Sequence, residues 1–327
     1  MKVLVSLSWI DAIPEYDKML DRVRKAGHTV TIHRSAKKLS EDEVAALLPG
    51  VHGCISGSDE FSRKALAAAN ALVAISRVGA GYDSVDIDAC TEKGVIVATG
   101  AGSGAQAVAE FAFGLIFACA RRFVALDRSM RKGDWNRTDG GYSPIGKCLG
   151  IVGLGHIGRE LGRLASAIGM EVVYWDILGD EARRGMPIQY VELNDLLRTS
   201  DFVSLHVPLS ESTRKLIGAP ELALMKPTAY LINTSRGEVV DETALIRTLQ
   251  ERGIAGAGLD VFEAEPMKAG SRLRELDNVV LSPHIAGLSA EARSALFNAA
   301  IDNVLEILAG GSPRTTINPE ARRIAPL

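Results

Sequence analysis

Residues 149 to 176, LGIVGLGHIGRELGRLASAIGMEVVYWD, constrain this chain more than any other stretch. A strand-forming run leads into Gly153, a helical pattern follows at once, and Gly153, Gly155 and Gly158 are spaced as G-x-G-x-x-G. The first glycine suits a tight turn, the second lets backbone approach a pyrophosphate, and the third lets a helix pack on a strand. The helix then presents free N–H groups and a positive dipole end to the phosphates. Alone, such spacing is weak, and the pairs Gly79/Gly81 and Gly256/Gly258 read as turns. Here the strand-loop-helix context is completed by Asp176, 18 residues after Gly158 at the end of the next strand. A carboxylate there would accept hydrogen bonds from the adenosine ribose, which points to a dinucleotide. It would also repel a 2′-phosphate, and Ile177 and Leu178 supply no cation, so NAD is favoured over NADP. The plainer alternative for Asp176 is an ordinary strand-end turn residue.

The same alternation extends along the chain. Up to about residue 98, strand-like runs (KVLVSL, HTVTIH, VHGCIS, LVAIS, GVIVAT) alternate with helical ones, which implies a parallel sheet covered by helices. The glycine-rich TGAGSGA, residues 99 to 105, breaks the rhythm and reads as a hinge. A long helical pattern from Gln106 to about Lys132 precedes a second strand-helix series beginning at CLGIVGLG, and SAEARSALFNAAIDNVLEILAGG closes with a helix and a polar tail. Two domains are expected from 327 residues.

Composition excludes several classes. With 37 basic and 40 acidic residues, a net charge of -3 and no long basic block, the chain is not built for nucleic acid or an anionic membrane. The longest apolar run, FAFGLIFACA, is far short of the ~20 residues that span a bilayer. Cys54, Cys90, Cys119 and Cys148 are scattered without C-x-x-C or zinc spacing, arguing against a disulfide framework or a metal site. The N-terminal stretch lacks the pattern of a secretion signal, so a cytoplasmic protein is expected.

A bound nicotinamide needs a proton carrier and a cation for its substrate. Arg236 in LINTSRGEVVD, Asp260 in GLDVFEAEP and His284 in VVLSPHIAG each follow a predicted strand, and ligands of open α/β sheets sit at the carboxyl ends of strands. His284 would exchange the substrate proton, a nearby carboxylate (Asp260, Glu263 or Glu265) would steady the imidazolium, and Arg236 would bind a substrate carboxylate. Spacing alone leaves open a surface ion pair for Arg236, solvation for Glu265 and a structural role for His284.

Taken together, VGAGYDSVDIDAC, AVAEFAFGLIFACARR, IVGLGHIG, DFVSLHVPLSESTRKLIG, LINTSRGEVVDETALIRTL, AGLDVFEAEP and NVVLSPHIAG resemble the D-isomer-specific 2-hydroxyacid dehydrogenases along nearly the whole chain. The resemblance implies an α/β protein in which a Rossmann NAD-binding domain, residues 101–287, is inserted into a discontinuous flavodoxin-like substrate domain, residues 1–100 and 288–327. It implies an active site in the cleft between them and Arg236, Glu265 and His284 as the catalytic set. It places Val78 and Gly79 in a loop whose N–H groups hold the substrate carboxylate, and Asp260 at the nicotinamide carboxamide. Further cofactor contacts are implied for Gly153, Gly155, His156, Ile157, Gly158, Asp176, Pro208 and Thr234. A homodimer embraced through residues 106 to about 145, and no metal, complete the expectation.

Substrate choice is narrower. Formate dehydrogenases of this fold pair the histidine with an amide, whereas Glu265 stands here. The segments LVAISRVGAGYDSVD and QAVAEFAFGL look most like the phosphoglycerate-dehydrogenase-like branch, and Arg77 fits a phosphate-bearing substrate such as 3-phosphoglycerate. Against that, CISGSDEFS carries Ser56 where such enzymes often hold another Arg, with Asp59 and Glu60 close by, which should weaken binding of a dianion. The tail is also too short for the C-terminal regulatory domain of some of those enzymes. A small unphosphorylated acid, glyoxylate or hydroxypyruvate, is the rival substrate, and an NAD(H)-sensing corepressor-like scaffold is the reading from another class.

Overall fold

The structure, a computed structural model, describes residues 1–135 and 137–323. Residues 324–327 of the expected C-terminal segment, and Asn136 in the expected dimer arm, lie outside them. The chain divides into two compact units, Met1–Gly104 with Leu288–Leu327, and Ala105–Gly287.

In the first unit five strands, β1 (Lys2–Ser6), β2 (Thr29–His33), β3 (Gly53–Ser56), β4 (Ala74–Arg77) and β5 (Ile96–Thr99), form a parallel sheet in the order β2-β1-β3-β4-β5, the flavodoxin-like order. Strands β3, β4 and β5 are buried along their whole length, which explains why they read as near-continuous apolar runs. The helix Ala290–Leu308 lays Phe297, Ala300, Ile301 and Val304 on Val3, Val5 and Ile55. The segment that reads as a polar tail is in fact tied to the sheet edge. Thr316 bridges Ala98, and the buried Asn318 side chain accepts from the Val97 N–H (2.8 Å) while donating to Thr91 Oγ1 and the Val95 carbonyl. An amide replaces a missing strand partner there, which no hydropathy pattern registers.

The second unit holds seven parallel strands: β6 (Cys148–Val152), β7 (Glu171–Trp175), β8 (Gln189–Tyr190), β9 (Phe202–Leu205), β10 (Tyr230–Asn233), β11 (Gly256–Leu259) and β12 (Val279–Leu281). Their order is β12-β11-β10-β9-β6-β7-β8. Successive strands run outward from β6 to β8, then restart at β9 on the other side, so the topological switch point lies between β6 and β9. Two apolar layers cover the sheet. Leu149, Ile151, Phe202 and Ile232 meet the helices Ala105–Ala120 and His156–Ala167, while Val152, Val203, Leu205 and Leu231 meet the helices Leu193–Thr199, Ala219–Leu224 and Glu242–Gln250. The single helix expected from Gln106 to Lys132 is two, Ala105–Ala120 and Phe123–Arg131, separated at Arg122 by a left-handed residue (φ 54°). One reversed dihedral ends a helix without disturbing composition, so periodicity runs straight through it.

Among the described residues no helix is long and apolar enough to cross a membrane, and no group of three His, Cys, Asp or Glu could hold a metal ion.

Candidate active site

The glycine-rich turn lies at the switch point. Gly153 takes a φ of 93°, and a Cβ there would stand 2.9 Å from the His206 backbone at the end of β9. At Gly158 a Cβ would meet the Gly153 carbonyl oxygen at 2.3 Å, so only glycine lets the helix sit this close to the turn. Gly153 N–H donates to the Trp175 carbonyl (2.8 Å) and Leu154 N–H to Asp176 Oδ2 (2.8 Å), which moors the turn on the end of β7. Arg159 completes the mooring from the helix by donating to the Leu154 and Ala182 carbonyls.

Whether NAD suits this turn can be judged from the chain itself. The helix His156–Ala167 starts at Gly155 with no side-chain cap, leaving its first N–H groups for an anion. A Cβ on Gly155 would meet nothing within 4 Å, so the space a diphosphate needs is present. Asp176 is half-buried and holds the Leu154 and Leu178 N–H groups, one on each oxygen, so each keeps capacity for a ribose hydroxyl. At the ends of the neighbouring strands, Thr234 Oγ1 and His206 Nδ1 are buried with no hydrogen-bond partner among the described residues, as polar atoms awaiting a ligand would be. Pro208 is exposed just beyond β9. The residues fit a dinucleotide.

His206 was not among the residues singled out from sequence, although it lies in the stretch DFVSLHVP. Its Nε2 pairs with Ser204 Oγ (2.9 Å), and burial pushes its pKa down to about 3, so the ring is neutral.

At the other side of the sheet, the loops after β10, β11 and β12 carry the chemical side chains. His284 Nδ1 lies 2.7 Å from Glu265 Oε2, and the second Glu265 oxygen accepts from the Phe262 N–H (3.1 Å). Burial alone would raise the Glu265 pKa, but the hydrogen bond and charge of His284, the Phe262 N–H and the Arg236 charge outweigh it and hold the carboxyl below its ordinary value. Glu265 is therefore ionised and fixes the tautomer with hydrogen on Nδ1, leaving Nε2 of a partly exposed ring for proton exchange.

Of the three carboxylates in DVFEAEP, Glu265 alone reaches His284. Glu263 accepts instead from the Glu242 N–H (3.2 Å) at a helix start, and Glu242 accepts the Glu263 N–H in return. Asp260, expected at the nicotinamide carboxamide, is fully buried. Its Oδ1 accepts from Ser282 Oγ (2.6 Å) and the Ile285 N–H (3.0 Å), and its Oδ2 from the Ala286 N–H (2.8 Å). Arg236 is half-buried, with its guanidinium donating to the Ser235 carbonyl (2.8 Å). The adjacent Gly237, also unremarked from sequence, packs so tightly that a Cβ would fall 1.9 Å from the Phe262 carbonyl carbon, bringing the Arg236 loop backbone-to-backbone against the Glu265 loop.

Arg77, Val78 and Gly79 belong to the first unit, at the end of β4. Arg77 is buried and donates through Nε to the Gly81 carbonyl (3.3 Å). The Val78 N–H, expected to face a substrate carboxylate, donates instead to the Ser56 carbonyl (2.8 Å), because it continues the β3–β4 ladder in which Ser56 pairs Arg77. Gly79 is the first residue beyond that ladder, and its N–H finds no acceptor among the described residues. The carboxylates near Ser56 are also not open charges. Asp59 is buried and accepts from Ser56 Oγ (2.8 Å) and the Leu39 N–H (2.8 Å), while Glu60 pairs with Lys38 (3.0 Å).

The chain is similar to known proteins over most of its length. Residues 113–286 match the NAD-binding domain of the D-isomer-specific 2-hydroxyacid dehydrogenases. A glyoxylate reductase of Korarchaeum cryptofilum is 41% identical over 275 residues, 82% of this chain and 83% of its own. A hydroxypyruvate reductase of Thermotoga maritima is 38% identical over 263 residues, 79% of this chain and 85% of its own. The solved TT0316 protein of Thermus thermophilus superposes with a TM-score of 0.88 at 34% identity, over 97% of this chain and 100% of its own.

Proposed function

Because this chain belongs to the D-isomer-specific 2-hydroxyacid dehydrogenases and is an NAD-dependent oxidoreductase of the CH–OH group, we propose that it reduces a small unphosphorylated 2-ketoacid, glyoxylate or hydroxypyruvate. The 2.7 Å contact between Glu265 and His284 carries the reading. NADH supplies the hydride. Protonated on both ring nitrogens, His284 donates its Nε2 proton to the carbonyl oxygen as it becomes a hydroxyl and is left neutral with hydrogen on Nδ1, where the ionised Glu265 keeps the ring oriented. Arg236 binds the substrate carboxylate and polarises the carbonyl.

The substrate assignment departs from 3-phosphoglycerate for two reasons. The relatives named above are glyoxylate and hydroxypyruvate reductases, and Ser56 is wholly buried against Asp59, so no cation stands at that position to pair with Arg77 around a phosphate. The partner we assign is a second copy of this chain, seated on the exposed apolar residues around the helix Phe123–Arg131. Four unpaired cysteines accord with a reducing, cytoplasmic setting.

The test is NADH oxidation with glyoxylate, hydroxypyruvate, 3-phosphohydroxypyruvate and pyruvate, run beside His284→Ala. Turnover should favour the first two, and His284→Ala should lose roughly 10²–10⁴ in kcat with NADH affinity kept. Preference for the phosphorylated acid would overturn the substrate assignment. Silence across the panel would overturn the reaction itself and favour a cofactor-sensing scaffold.

A further inference from the structure

We propose that Glu242 and Glu263 form a reciprocal latch between the loop that carries Arg236 and the loop that carries Glu265, and that through it they act as positioning residues for the Glu265–His284 pair. Glu263 Oε1 accepts the Glu242 N–H (3.2 Å), and Glu242 Oε2 accepts the Glu263 N–H (3.2 Å). The two residues lie 21 apart in sequence, one at the start of the helix Glu242–Gln250 and the other in the loop after β11. Each side chain supplies the acceptor that the other residue's peptide group would otherwise find only in water.

The two loops are held differently. On the Arg236 side, the Lys215 N–H donates to the Glu238 carbonyl (2.7 Å), the Ile217 N–H to the Val239 carbonyl (3.1 Å) and the Asp241 N–H to the Ile217 carbonyl (3.0 Å). Asp241 also caps the helix through the Ala244 N–H (3.0 Å) and pairs with Lys215 Nζ (3.0 Å). That side is anchored without the latch. On the Glu265 side, the Phe262 N–H ends on Glu265 Oε1 (3.1 Å) and the Glu263 N–H on Glu242. Gly237 lets the two backbones touch there, since a Cβ on it would fall 2.4 Å from the Glu263 nitrogen. Van der Waals contact has no preferred direction along the loop, whereas the two hydrogen bonds fix its register. Without them Glu263 is released, two residues before the carboxylate that orients His284, while the Arg236 side stays in place.

What the latch asks of each residue is a long side chain with an acceptor, and not a charge. Both acceptors face backbone N–H groups, and an amide oxygen accepts from an N–H as a carboxylate oxygen does. Two carboxylates this close also repel. Burial raises the Glu242 pKa and the neighbouring Glu263 charge raises it further, against the Glu263 N–H and the Lys268 charge, which favour the ionised form. Glutamine at either position keeps the bond and removes the repulsion, whereas alanine removes the acceptor. Because both bonds join the same two segments, loss of one loosens the other.

The positioning role rests on the reductase reading of Glu265 and His284, and the latch itself does not, so the test has a kinetic and an exchange arm. In glyoxylate reduction, Glu242→Ala and Glu263→Ala should each lower kcat about tenfold while KM for glyoxylate and the affinity for NADH stay within about threefold, because Arg236 and the glycine turn are not displaced. The double alanine variant should lose no more than about twofold beyond either single one, as expected when two residues share one interaction. Glu242→Gln and Glu263→Gln should each keep more than about half of the wild-type kcat. Amide hydrogen exchange should quicken about tenfold at Glu263 in Glu242→Ala and at Glu242 in Glu263→Ala, and stay near the wild-type rate in both glutamine variants. Wild-type exchange in the alanine variants would overturn the latch, and quickened exchange with wild-type kcat would overturn the positioning role. A glutamine variant as slow as its alanine counterpart would show that charge is what matters, and multiplicative losses in the double variant would show two independent contacts; either result overturns the proposal. A raised KM at unchanged kcat would shift the effect from the Glu265–His284 pair to substrate binding and overturn it too. A wild-type protein that reduces no ketoacid would sink the reductase reading, and the exchange arm would then decide the latch.

Discussion

His206 shows how much one ring can couple stability to pH. It is neutral in the fold because burial holds its pKa at about 3, whereas an unfolded histidine titrates near ~6.5. Between those values the unfolded chain binds a proton that the folded one refuses, so acidification drains stability by about 1.4 kcal/mol per pH unit from this residue alone. Urea unfolding at two pH values between 6 and 4 should show that slope in the wild type and a shallower one in His206→Asn; equal slopes would mean the ring does not titrate this way. Glu265 adds to the same trend. Its lowered pKa stabilises the fold above the ordinary carboxylate value, and that contribution is lost as pH falls through its own. Of these two residues, Glu265 could be placed near a histidine only through the family resemblance, and nothing in the spacing of LHVP distinguishes His206 from a core residue.

The glycine turn and its helix separate folding from binding at the next scale. Gly155 has a φ of -70° and open space where a side chain would go, so Gly155→Ala should keep the wild-type Tm. It should weaken NADH binding by about tenfold or more, because the methyl group occupies the place of the diphosphate. Gly158→Ala meets a backbone oxygen at 2.3 Å and should instead lose ~1–3 kcal/mol of stability through overpacking. Thermal unfolding beside NADH fluorescence titration distinguishes the two, and equal loss of Tm in both variants would contradict this division. The turn itself was legible because its glycines, strand and helix are contiguous. The break at Arg122 and the capture of Asn318 by β5 were not, since one depends on a single dihedral and the other on a contact more than 200 residues away in sequence.

At the scale of the whole molecule, the proposed partner, a second copy of this chain, rests on the apolar surface. The helix Phe123–Arg131 buries none of its residues, and Phe123, Met130, Trp135 and Ile145 are each more than half exposed. These exposed apolar side chains, on and close in sequence to one helix, are the surface we propose for the second copy. Light scattering should give twice the chain mass of 34.9 kDa, and Phe123→Asp with Trp135→Asp should shift the protein towards the monomer, each aromatic anchor being worth about 2 kcal/mol or more. A wild-type monomer at micromolar concentration would refute the dimer.

Local order in the chain was enough to determine the parallel α/β architecture, the dinucleotide turn with Asp176, and the placement of Arg236 and His284 just beyond strands. Each of these follows from neighbours within a few residues: apolar runs, glycine spacing and the period of a helix. The tertiary structure decided which carboxylate serves His284, why Gly237 must be bare, that the Val78 N–H is already committed to Ser56, and that Asn233 and Asp260 turn inward. Those outcomes depend on strand register, because only when β10, β11 and β12 lie side by side is it settled which backbone donors remain for a side chain to claim. Asp260, Glu263 and Glu265 lie within six residues of one another and are chemically alike, and the loops packed against each of them assign one to the backbone, one to a helix start and one to the histidine.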